Sequence, residues 1–166
     1  MVWRPRVRAC ALIFLALWTG IYPDRAPADD RASLANLSGR WAGEGTLIPT
    51  RGPSEIFKCV ITYFLSDDAS SVRQNLRCQG ASYKFDAATR LQIDGVQVTG
   101  QWADNINSLT GTVIGLVTEN GFDILLSGRF FEAKMTVIST RCEQSVKVVP
   151  DKAEPMKELA AVLRKC

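Results

Sequence analysis

Residues 55–79, EIFKCVITYFLSDDASSVRQNLRCQ, decide the fold. Two runs of alternating apolar and polar residues flank the turn-forming cluster Ser66-Asp67-Asp68-Ala69-Ser70, the pattern of an antiparallel hairpin with one buried face. On the first run Phe57, Cys59, Ile61, Tyr63 and Leu65 share a face, and on the second Val72, Leu76 and Cys78 do. Pairing Leu65 with Val72 sets Tyr63 against Gln74, Ile61 against Leu76 and Cys59 against Cys78. One register satisfies both the apolar match and the sulfur match, so the sequence predicts a Cys59–Cys78 bridge between neighbouring strands.

Outward from this hairpin the same alternation continues. It predicts strands near 38–48, 55–65, 71–79, 81–87, 90–94, 96–103, 110–118, 121–131 and 133–149, the last broken by a bulge. Arg51-Gly52-Pro53-Ser54, Asp94-Gly95 and Asn120-Gly121 supply further turns. Eight or nine consecutive antiparallel strands make a meander, and an all-β up-and-down barrel is the closure that leaves no open edge. After Pro150 the composition shifts to Lys, Glu, Ala and Leu, and Met156, Leu159, Ala160 and Leu163 fall at helical spacing behind Pro155. This predicts a short C-terminal α-helix packed outside the barrel.

The N-terminus carries its own address. Arg4, Arg6 and Arg8 precede the apolar run Ala9 to Tyr22, and Ala26-Pro27-Ala28 offers a small-x-small site before Asp29-Asp30, which reads as a cleaved secretory signal over residues 1–28. The expected organisation is then a flexible arm at 29–36, a barrel at 37–149 and a helix at 150–166. The signal carries Arg4, Arg6, Arg8 and Arg25 against Asp24, and the whole chain 20 basic against 17 acidic residues, so the charges of residues 29–166 balance. A neutral domain with interspersed charges has no electrostatic footprint for nucleic acid. The apolar run is short for a membrane span, so periplasmic or secreted localisation and a monomeric chain without a stable membrane span are expected.

Cys10 belongs to the signal. Cys59, Cys78, Cys142 and Cys166 remain, an even number in an oxidising compartment, and with the hairpin pair assigned the second bridge is Cys142 with Cys166 by elimination. A zinc site fits poorly, because no C-x-x-C step occurs and the chain has no histidine; no metal is expected.

Gly39-Arg40-Trp41, Gly100-Gln101-Trp102 and Gly128-Arg129-Phe130 each place a glycine two residues before a large aromatic. In a strand the two share a face, so the ring can lie over a neighbouring backbone with no side chain in the way. Leu37-Ser38-Gly39-Arg40-Trp41 resembles the G-x-W signature of the calycins, the lipocalins and their relatives. Arg141 sits where those families keep a basic residue that packs across the tryptophan. The G-x-W-x-G-x-G spacing of Gly39 to Gly45 is also similar to the opening of the nitrobindin branch, which binds haem through a histidine. This chain has none, so haem by that route is excluded and no cofactor is expected. Lys58-Cys59, Leu76-Arg77-Cys78 and Gly100-Gln101-Trp102 together look like a group of small exported bacterial proteins of unassigned activity. The calycin resemblance implies a barrel with a lined interior and a small apolar ligand.

Without histidine no Ser-His-Asp or Cys-His arrangement can be built, and Asp67-Asp68 lies in a predicted turn, so a non-enzymatic protein is expected. The leading expectation is an exported binding protein for an apolar or amphipathic small molecule, with Trp41, Tyr63, Tyr83, Phe85, Trp102 and Phe130 lining or flooring the cavity and Arg141 stacking on Trp41. The alternative is a protein-interaction module, an exported protease inhibitor or cell-envelope partner, whose aromatics fill a packed core. Volume separates the two.

Overall fold

The computed structural model describes residues 34–130, 132–151 and 156–166. The expected signal, and residues 29–33 of the arm, lie outside them. More buried residues alternate with more exposed ones along most of ten strands: β1 Gly39–Pro49, β2 Glu55–Leu65, β3 Ser71–Gln79, β4 Lys84–Asp94, β5 Gln97–Asp104, β6 Leu109–Thr118, β7 Gly121–Gly128, β8 Glu132–Ser139, β9 Glu143–Pro150 and β10 Met156–Arg164. Each pairs antiparallel with its sequence neighbours, and β10 closes the ring against β1, giving an antiparallel barrel with no edge.

The hairpin register is the expected one: Leu65 faces Val72, Tyr63 faces Gln74, Ile61 faces Leu76 and Cys59 faces Cys78. Both disulfides, Cys59–Cys78 and Cys142–Cys166, are formed. Bridges of this kind belong to oxidising environments. No helix among the described residues is long and apolar enough to cross a membrane.

Three expectations are corrected. The segments 81–87 and 90–94 form one strand, β4, and 133–149 divides into β8 and β9 at a turn over Thr140–Cys142. The C-terminal helix does not form: Met156–Arg164 is a strand paired on both sides, Ala161 with Gly45 and Val146, Leu163 with Gly43 and Gln144. Leu159, Ala161 and Leu163 also satisfy period two, and inserting them between β1 and β9 gives both outer strands a hydrogen-bonding partner. That non-local gain overrides the helical preference of Leu-Ala-Ala.

The turn joining β2 to β3 is built around Asp68, whose Oδ1 accepts hydrogen bonds from Ser66 Oγ (2.7 Å), Ser70 N (3.0 Å) and Ser70 Oγ (2.8 Å). These donors, the Ser66 hydroxyl foremost, favour the charged form and hold the carboxyl at about 2. Because the folded value lies below that of the unfolded chain, the turn's contribution is complete above about pH 4 and fades as pH falls toward 2. An NMR titration of the Asp68 carboxyl is expected to give a midpoint near 2; a midpoint near 4 would show that the serine bonds do not hold in solution.

Candidate functional site

One end of the barrel is shut. The described chain enters through a helical turn, Leu37 N donating to Leu34 O at 2.9 Å, which tucks both leucines into the core. Trp41 follows two residues after Gly39 and is fully buried, its Nε1 donating to Leu37 O at 2.7 Å. The basic residue over its ring is Lys165, with Nζ 4.7 Å from the ring centroid and donating to Asn36 O (2.7 Å) and Ser38 O (3.0 Å). The expected Arg141 is instead exposed in the β8–β9 turn. The reason is topological: the strand that closes the barrel against β1 is β10, so the lysine just past its end, and not the arginine of the β8–β9 turn, lies beside Trp41.

Above this floor is an open interior, a cavity of about 400 Å³. It falls within the range typical of small-molecule sites, about 300–1,000 Å³. Of the aromatics singled out in the sequence, Tyr63, Tyr83, Phe85 and Trp102 line it; Trp41 floors the barrel below it. Phe130 does not take part. It is 77 % exposed in the loop after β7, with the Arg129 guanidinium 5.1 Å from its ring centroid. Gly128 ends β7, so the glycine-aromatic spacing there runs off the strand and alternation no longer directs the ring inward. Where the motif stays within a strand the packing idea holds across strands. Trp102 faces Gly111 of β6, and a Cβ at that glycine would fall 2.5 Å from Trp102 Nε1.

The lining is divided by strand. Among the described residues, polar side chains reach the cavity only from β2–β5 and their loops: Tyr63, Gln74, Thr89 and Asp104, with Tyr83 and Asn107 near the mouth. From β7–β10 come Phe122, Ile124, Leu126, Met135, Val137, Val146, Val148, Leu159 and Ala161, all apolar. Gln74 and Thr89 were not singled out in the sequence, though the hairpin register already set Gln74 opposite Tyr63 on the inward face. The β7–β10 wall carries no such signal, because alternating aliphatics look the same around a cavity as in a packed core.

Deep in the barrel the Tyr63 hydroxyl of β2 donates to Gln144 Oε1 of β9 at 3.2 Å and hydrogen-bonds Gln74, while Gln144 Nε2 donates to Ser139 Oγ at the end of β8 at 2.8 Å. Burial of the phenol pushes its pKa well above the ordinary tyrosine value, so it stays a neutral hydroxyl. At the mouth Asp104 is occupied by its own loop, accepting from Ile106 N (2.9 Å) and Asn107 Nδ2 (2.6 Å). Glu55 ties the start of β2 to the β3–β4 loop by accepting from Ser82 N at 2.7 Å, a bond that lowers its pKa. Cys59 and Cys78 form part of the cavity wall, so their bridge braces the lining itself. No group of residues with metal-ligand character occurs among the described residues.

The barrel is a shared fold. The crystal structure of Rv2717c from M. tuberculosis matches with a TM-score of 0.68 at 14 % identity, over 84 % of this chain and 98 % of that one. The S-type phycobiliprotein lyase CPES from Guillardia theta matches with a TM-score of 0.57 at 12 % identity, over 82 % of this chain and 90 % of that one. No protein-family model and no curated protein matches the sequence. At such identities the two structures speak for the fold alone, and what this barrel does must be argued from its own residues.

Proposed function

We propose that this chain is an exported, calycin-like binding protein that holds a small apolar or amphipathic molecule inside the barrel. The observation that carries the reading is the unfilled, mostly apolar interior of about 400 Å³ above a sealed floor. An interaction module acting through its surface would have no use for such a space, and packed cores rarely leave one. The disulfides support a life outside the reducing cytosol. A barrel of similar fold occurring in a phycobiliprotein lyase supports the idea that this architecture can serve small-molecule chemistry. We read the function as binding without turnover, because the cavity's cysteines are bridged and the one carboxylate among its described lining residues accepts hydrogen bonds from its own loop.

Native mass spectrometry of protein purified from an oxidising compartment tests this. A discrete extra mass that leaves on mild denaturation is expected, and Ala87→Trp, which fills the cavity from β4, is expected to remove it while the far-UV spectrum stays that of a β protein. A bare mass together with no uptake of the neutral dye Nile red would sink the reading.

A further inference from the structure

The polar side chains of the cavity are not scattered. Tyr63 faces Gln74 across β2 and β3, and Gln74 faces Thr89 across β3 and β4, so the three form one continuous row across adjacent strands. All three reach the cavity. The amide of Gln74 can make about four hydrogen bonds, two donated and two accepted, and Tyr63 accounts for one of its contacts, which leaves donor and acceptor capacity facing the interior. Across the cavity the described lining residues from β7 to β10 offer only hydrocarbon, thioether and one phenyl ring.

Charge narrows the choice further. Among the described residues that line the cavity there is no lysine or arginine, and the one carboxylate, Asp104, is held by its own loop at the mouth. An anionic head group would therefore be buried without a counter-charge in a cavity whose one carboxylate repels it, which is strongly unfavourable. A neutral group that donates and accepts hydrogen bonds meets matching partners instead, and a ligand lacking one would leave the row's polar groups unpaired.

Building on the cavity reading above, we propose that this barrel selects neutral over anionic amphipathic molecules, with a hydroxyl group laid against Tyr63, Gln74 and Thr89 and the apolar body against β7–β10. The discrimination is against the anionic counterpart of the same chain length as much as against the pure hydrocarbon.

Displacement of Nile red from the full mature protein at pH 8 by decan-1-ol, 1-decene and decanoate tests the proposal. Decan-1-ol is expected to bind about tenfold or more tighter than either comparator, the equivalent of one hydrogen-bonded group satisfied. Gln74→Leu is expected to weaken decan-1-ol about tenfold and leave 1-decene unchanged or improved. Thr89→Val, nearly the same shape as the native residue, is expected to act in the same direction and serves if the leucine variant does not fold. Equal binding of the three probes, preference for decanoate, or indifference of decan-1-ol to both variants would overturn the proposal while dye uptake still upheld a binding cavity. Failure of the wild-type protein to take up the dye would overturn the cavity reading itself.

Discussion

Trp41→Ala is expected to lower the free energy of unfolding by about 3–5 kcal/mol, the range for deleting a fully buried large aromatic side chain. The indole is 0 % exposed and joins the closed end of the barrel from several directions. Its Nε1 holds the Leu37 carbonyl, its face carries the Lys165 ammonium, and Leu34 and Leu37 belong to the same buried cluster. Removing it leaves a void where a helical turn, β1 and the end of β10 meet, and these parts come from opposite ends of the chain, so they cannot collapse together locally. Urea denaturation measures the loss. Trp41→Phe keeps much of the packing but not the N–H donor and is expected to cost about 1–2 kcal/mol. A loss below about 1 kcal/mol for the alanine variant would show that the floor is not part of the cooperative core.

The second large effect concerns the C-terminal strand. Replacing Cys142 and Cys166 together by serine is expected to cost about 3 kcal/mol in the chain-entropy model, for a bridge spanning a sequence separation of 24. The location matters beyond the number. Lys165 N donates to Cys142 O at 3.2 Å and Lys165 Nζ holds the entering chain, so the bridge, the ladder and the floor latch all fasten the end of β10. Hydrogen exchange in the double variant is expected to quicken at Leu163 and Arg164 while the β2–β3 hairpin, braced by its own disulfide, keeps its protection. Unchanged stability and exchange would mean that strand pairing alone holds β10.

How much of this was legible beforehand can be argued residue by residue. The β2–β3 register followed from Leu65, Ile61 and Cys59 meeting Val72, Leu76 and Cys78, since side-chain direction in a strand repeats every second residue and a slip by one would expose the whole set. Tyr63, Tyr83, Phe85 and Trp102 were placed inward by the same rule. Phe130 was misplaced because the rule ends where the strand ends, and Arg141 because its role depends on which strand closes the ring. Met156–Arg164 fitted two periods at once, and local spacing alone favoured the wrong one.

The sequence by itself determined the all-β class, the inward faces, the hairpin register and the absence of histidine chemistry, because each rests on neighbours a few residues apart or on composition. Only the tertiary structure decided that β10 completes the wall, that Lys165 caps Trp41, that the interior stays open and that the described polar side chains lining it gather on one side. Those depend on closure between residues more than a hundred positions apart and on the total side-chain volume inside a ring of ten strands, and no local pattern encodes either.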